Sequence, residues 1–284
     1  MLTKAAARGL AAAETARNPI TVQLLGEFDV RSDGVCIELA RPAQKIVAFA
    51  ALRGASRRQA TRALFPDCDD GHAMGRLRTT LWRVRRACPG LLADSRQLVH
   101  LGPAVAVDVT RLTSWAQHAA RGVVVEAPFT EIGNWELLPD FDDEWISVDR
   151  QRLHEMRIHA LTDVAEQLRK QQHLGAALQA ALACVAEDPL RESGQRAAIE
   201  VYLAEGNVDA AVRQYRQFTE MLHVELGVPP SVGLTRLLRQ HGLPTPQHGG
   251  IGRRRQALLG DPSRSSRPRN RPSDRPRQPA TPAL

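Results

Sequence analysis

The sequence predicts a mainly α-helical protein with small β elements, in which a sheet, three helices and a hairpin precede an all-helical repeat bundle. Three observations carry this prediction. Apolar residues alternate in short runs between Ile20 and Leu39, then recur every three to four positions as far as Cys88. A constant offset of 34 residues relates two later stretches, a spacing typical of stacked helical pairs. Charge is also partitioned: residues 20–108 hold 13 basic and 9 acidic side chains, 109–249 hold 13 and 19, and 250–284 hold 9 arginines and 2 aspartates. With 284 residues, 43% hydrophobic and 24% charged, about two globular domains are expected. The expected division is a flexible extension at 1–19, a first domain at 20–108, a helical domain at 109–245 and a disordered Arg/Pro-rich tail at 246–284.

Ile20, Val22 and Leu24 alternate, Gly26 interrupts, and Phe28 and Val30 resume before Asp33-Gly34; Val35, Ile37 and Leu39 alternate again. Two such runs joined through Asp-Gly predict a hairpin in a small sheet. From Arg41-Pro42 the period becomes helical, with Ile46, Val47, Phe49 and Ala50, until Gly54. Ser56 and Gln59 then have capping-box spacing and open a second helix that stops at Phe65-Pro66. The third helix is predicted over Asp70 to Cys88. Met74, Leu77, Leu81, Val84 and Cys88 form its apolar stripe, and Arg76, Thr79, Trp82, Arg83 and Arg86 lie opposite, with Arg78 and Arg85 on the flanks. Between Arg76 and Arg86 there are five arginines and no acid. Leu91 to Leu101 reads as two strands turning at Ser95-Arg96, and Val105 and Val107 add another.

From Thr110 to about Leu238 the pattern is helical. Glu144 to Lys170 forms a long opening helix with Leu153, Met156, Ala160, Leu161, Val164 and Leu168 at helical spacing. The 34-residue offset aligns Leu174, Ala177, Ala181 and Cys184 with Val208, Ala211, Tyr215 and Phe218, the tetratricopeptide period, with Pro189 closing the first unit and His223 in the equivalent place of a degenerate second. The last 35 residues hold six of the eighteen prolines and nine arginines, a composition with too little to bury to fold alone.

Sheet, three helices and hairpin in that order resemble the winged-helix DNA-binding domain of the OmpR-like kind, whose third helix enters the major groove while the hairpin follows the flanking backbone. Trp145, Arg150 to Arg152, Asp188-Pro189-Leu190-Arg191-Glu192, Gly206, Glu225-Leu226-Gly227-Val228 and Pro230-Ser231 resemble the bacterial transcriptional activator domain. Behind a winged helix carrying Leu77 to Arg86, LRTTLWRVRR, that domain marks the Streptomyces antibiotic regulatory protein family, the AfsR/DnrI/EmbR group. The likeness runs from about Ile20 to Gln240. It implies a sequence-specific activator that binds direct repeats in double-stranded DNA near promoters, commonly as a side-by-side pair or homodimer on DNA, and contacts RNA polymerase. It also implies a bacterial cytoplasmic protein, associated with the nucleoid when bound to DNA. The DNA-binding residues expected are Arg76, Arg78, Thr79, Arg83, Arg85 and Arg86 on the third helix and Ser95 and Arg96 on the hairpin. The Arg53-Gly54-Ala55 link between the first two helices is short for the family. Gly75 either loosens the first turns of the third helix or admits close backbone approach.

Competing readings follow from the same residues. The arginine face is alternatively an ordinary solvated surface, which makes the protein an interaction scaffold of tetratricopeptide type with a winged helix that no longer reads DNA. Trp82 either covers the hairpin or touches a thymine methyl or sugar, and packing is favoured because large exposed aromatics are uncommon. Asp67-Cys68-Asp69-Asp70-Gly71-His72 has metal-ligand residue types but reads as a capped acidic helix start, and Asp140, Asp142, Asp143 and Glu144 likewise precede a helix. His154 and His159 lie on different helix faces. Without GxxxxGK[ST], HExxH or GxSxG motifs, no catalytic residue, cofactor or metal is expected. Cys36, Cys68, Cys88 and Cys184 are dispersed, which fits a reducing compartment. No apolar run suits a membrane span and Met1 to Asn18 lacks a secretory core, so no membrane partner is expected.

Overall fold

A computed structural model of the chain describes residues 20–123 and 136–243; the expected extension at 1–19 and tail at 246–284 lie outside the described residues. The order is β1 (Ile20–Gln23), β2 (Asp29–Ser32), β3 (Val35–Cys36), α1 (Arg41–Leu52), β4 (Ala55–Ser56), α2 (Arg57–Leu64), α3 (Asp70–Ala87), β5 (Leu98–Val99), β6 (Val105–Val107) and α4 (Asp108–Ala120). Five further helices follow: α5 (Glu144–Lys170), α6 (Leu174–Glu187), α7 (Glu192–Ala204), α8 (Val208–Leu226) and α9 (Val232–Gln240). This is the predicted class, a winged helix ahead of a helical repeat bundle. Among the described residues no helix is long and apolar enough to cross a membrane.

The first sheet has the order β3-β2-β1-β6, with β1 antiparallel to β2 and parallel to β6. Asp33 and Gly34 join β2 to β3 with φ of 50° and 79°, the paired positive values of a two-residue hairpin turn that Asp-Gly supplies at low cost. The alternating run was expected to continue through Leu39, yet β3 ends at Cys36. It is an edge strand with one neighbour, and the chain must turn into α1, where Pro42 sits in the first turn. The expected hairpin at Leu91 to Leu101 is likewise reduced. Its base is one bridge, Leu92 to Leu101, with the Ala93 amide donating to His100 O at 3.0 Å. Farther out, Leu98 and Val99 pair with β4 instead. Ser95 Oγ accepts the amides of Leu98 and Gln97 at 3.0 and 3.3 Å, a local side-chain turn that competes with the ladder.

Helix starts follow the sequence signals. Ser56 caps α2 in a complete capping box with Gln59, and Asp69 caps α3 by accepting the Gly71 and His72 amides, both at 3.1 Å. In the repeat, α6 and α8 begin 34 positions apart. Ala177, Ala181 and Cys184 of one and Ala211, Tyr215 and Phe218 of the other are buried; Leu174 and Val208, as first helical residues, stay outside the core. A Cβ on Gly194 would lie 2.7 Å from Cys184 Sγ, so α6 and α7 cross where only glycine fits.

One apolar core runs from Ile20 through α1, α3, α4 and α5 to Ala198, and a smaller one joins Ile199, Phe218 and Leu234 at the far end. The joint between winged helix and bundle is specific. Trp145 meets Phe49 edge-on at 5.4 Å, Arg53 bonds Asp149 at 2.9 Å and the Trp145 carbonyl at 2.5 Å, and Lys45 pairs with Asp143 at 2.7 Å. The Arg53-Gly54-Ala55 link is thus held against α5 and feeds β4. Arg150 donates to the carbonyls of Leu137, Leu138 and Phe141. Asp108, at the start of α4, accepts the Leu24 and Leu25 amides at 2.9 and 2.8 Å. Burial pushes its carboxyl above the ordinary range against the pull of those amides.

Candidate nucleic-acid interface

Helix α3 acquires two unlike faces from one periodicity. Leu77, Leu81, Val84 and Cys88 are buried, Met74 packs partly against them, and Ala73 and Thr80 extend the covered side. Burial raises the Cys88 thiol, as expected of a small core side chain. Arg76, Arg78, Thr79, Trp82, Arg83 and Arg86 are exposed and Arg85 is half-buried. Sequence spacing therefore separated the apolar stripe of this helix from its arginine face, leaving Ala73 and Thr80 unassigned.

The exposed side carries two adjacent stripes. Arg76, Thr79 and Arg83 border a groove of about 540 Å³ whose other wall includes Glu38, Leu39, Ala40, Pro42 and Phe65. Arg78, Trp82 and Arg86 form the second stripe, one helical turn apart. Arg78 and Arg83 make no hydrogen bond or ion pair among the described residues. Arg76 donates to Cys68 Sγ at 3.3 Å, and the Arg86 guanidinium lies 5.3 Å from the centre of the Trp82 ring. Thr79 Oγ1 donates to the Gly75 carbonyl at 3.1 Å, which leaves its lone pairs free to accept.

Arg85 differs from its neighbours. Its Nη2 donates to Ala93 O at 3.0 Å and stands 3.8 Å from Asp94, so it ties the helix to the hairpin. Arg57, which the sequence reading missed, ties the same loop from α2: its side chain donates to Ser95 O at 2.8 Å and its amide to Gln97 O at 2.9 Å. Ser95 is half-buried within this turn, and Arg96 projects into solvent. No local sequence signal could have paired Arg57 with a loop 38 residues away. The expectation for Trp82 is corrected. Its side chain is 58% exposed, because it sits between Arg78 and Arg86 on the outer stripe, where the short hairpin does not cover it.

On α3 itself acid is confined to the first turn, while Glu38 lines the groove that Arg76 and Arg83 border. Asp69 caps the helix, and its bonds from His72, first the amide and then the ring at 2.5 Å, hold its carboxyl below the ordinary value. No group of three potential metal ligands occurs among the described residues. The motif residues of the helical region instead build joints. Glu192 accepts the Ser231 amide at 2.7 Å and pairs with Arg196 at 2.7 Å, Arg191 pairs with Glu155 at 2.6 Å, and Gly227 ends α8 with φ of 69°, a left-handed cap that glycine supplies.

Residues 134–240 match the family model of the bacterial transcriptional activator domain. The solved structure of Mycobacterium tuberculosis EmbR in complex with a low-affinity phosphopeptide is similar in fold, with a TM-score of 0.66 and 20% identity. That match covers 80% of this chain and 66% of EmbR, so the chain spans just under two thirds of the length of that relative. No curated protein matches the sequence. With a winged helix at one end of its core and a bacterial transcriptional activator domain match at the other, the chain shares the fold of EmbR over most of its length.

Proposed function

We propose that the protein binds double-stranded DNA through α3 and activates transcription at promoters carrying direct repeats. The observation that carries this reading is the exposed face of α3, where Arg76, Arg78, Arg83 and Arg86 have no carboxylate partner among the described residues. Arginine left unpaired on a rigid helix suits guanine O6 and N7 or phosphate oxygens. Arg76, Thr79, Arg83 and Arg86 address base edges; Arg78, nearer the boundary, takes a phosphate. Ser95 and Arg96 meet the flanking backbone, and Arg85 serves the same contact by fixing the loop that carries them. One winged helix covers about one half-site, so the helical region adds affinity by holding a second copy beside the first, and it supplies the surface that contacts RNA polymerase. The nine arginines at 250–284 add affinity for any DNA by releasing counterions.

A shift assay with the full chain, on a duplex selected from a random library and on random duplex, at two salt concentrations, tests this. Preference for the selected duplex that survives high salt is expected. Equal and wholly salt-driven binding to both duplexes would contradict it. The scaffold reading draws on Val224, Leu226, Val228 and Val232, all exposed around the end of α8; it wins if α3 variants leave DNA binding unchanged.

A further inference from the structure

We infer that Trp82 is a specificity residue that contacts the C5 methyl of a thymine in the major groove; this rests on the reading of α3 as the helix that enters the groove. Trp115 and Trp145 are 4% and 9% exposed, against 58% for Trp82. An indole left in water is unfavourable until something apolar covers it. Its place on the helix narrows what that cover is. The ring lies one turn after Arg78 and one before Arg86, in a stripe without acid, so a partner that meets those arginines must supply hydrogen-bond acceptors, as phosphates and guanine edges do. The partner must also offer an apolar patch within reach of the ring. Duplex DNA offers one on its major-groove base edges, the thymine methyl. The Arg86 guanidinium beside the ring, at 5.3 Å, couples the two contacts. Four residues of helix advance about 6 Å and base pairs rise 3.4 Å, so the thymine lies within about two steps of the base pair that Arg86 addresses.

The test uses the full chain and a duplex it has selected from a random library, with each thymine in turn replaced by uracil, which removes only the methyl. Wild-type affinity is expected to fall about fourfold at one such position, the value of one buried methyl-sized group. Trp82→Ala lowers affinity for the selected duplex about tenfold, leaves random duplex unchanged and abolishes the uracil effect; Trp82→Phe retains part of it. The sensitive thymine falls within two base pairs of the position where Arg86→Ala relaxes preference. Thermal melting of Trp82→Ala near that of wild type confirms that the loss is at the interface. Uracil replacements that are all silent in the wild type, or equally costly in Trp82→Ala, overturn the inference while the reading of α3 stands. Failure of the chain to select any sequence overturns both.

Discussion

The arginines of α3 and those of the helical region are the same side chain put to opposite uses. In α5 to α8, Arg157, Arg169, Arg191, Arg196 and Arg213 each pair with a carboxylate, and Arg150 holds three backbone carbonyls. Arg157 is buried enough that desolvation brings its guanidinium down to about 10. On α3, Arg78 and Arg83 have no such partner among the described residues. Net charge alone does not distinguish the regions; the supply of acceptors does. In a domain with 19 acids to 13 bases, these arginines find acceptors within the fold. A helix whose ten central residues contain no acid cannot, so the unmet hydrogen-bonding capacity of its arginines faces outward.

The largest effect that tests this contrast is on stability. Arg150→Ala leaves three carbonyls around Leu137 to Phe141 without their charged donor, and hydrogen bonds from charged groups are worth about 1.5–3 kcal/mol each. A loss of at least about 3 kcal/mol is expected in denaturant unfolding, with little rescue by lysine, which lacks the planar fork. Arg83→Ala should stay within about 0.5 kcal/mol of wild type. If the two variants were equally destabilised, the partition into structural and outward-facing arginines would be wrong.

Next in size is Asp108→Ala, which strands the Leu24 and Leu25 amides, both on residues with no exposed surface. Burying unpaired amides costs about 1–3 kcal/mol. Asn keeps an acceptor there and should recover most of it. The pH dependence has a defined sign. The folded-state pKa of Asp108 is raised, so this group opposes folding when ionised, and the penalty is relieved as pH falls through the raised value. The stability difference between wild type and Asp108→Asn should therefore shift in favour of wild type from neutral to mildly acidic pH. Of similar magnitude are the α3 effects on DNA. Arg83→Ala costs about 1–3 kcal/mol on the selected duplex and relaxes one base pair, while Arg78→Ala weakens all sequences and reduces the salt slope by about one.

Periodicity made α3 legible because a helix buried on one side reports its orientation in every residue. Capping chemistry did the same for Ser56-Gln59 and for Asp69. What the sequence hid were features set by distant neighbours. The hairpin lost most of its ladder to β4 and to the Ser95 side chain, and neither competitor is visible in the alternation of Leu91 to Leu101. Trp82 was expected to pack because tryptophan usually does; whether the hairpin was long enough to cover it depended on that same lost ladder. Trp145 and Arg150 were recognisable as motif residues, but their roles in joining α5 to α1 and in holding the Leu137 to Phe141 turn needed the tertiary structure.

The smallest predicted effect concerns Gly75. Glycine inside a helix costs about 1 kcal/mol relative to alanine, and nothing in the fold requires it here: a Cβ built on Gly75 meets no atom within 4 Å. Packing therefore does not account for the choice. Gly75 sits one turn before Thr79 and two before Trp82 on the outward side of α3, so the space its missing Cβ leaves open is space beside the arginine face. Gly75→Ala should raise the melting temperature by the few degrees that about 1 kcal/mol supplies and at the same time lower affinity for the selected duplex, because the methyl holds the helix backbone away from the groove. Opposite signs in melting and binding would mark Gly75 as a position where close approach outweighs stability. A variant that both melts higher and binds tighter would instead mean that the first turns of α3 are merely loose, and that DNA orders them.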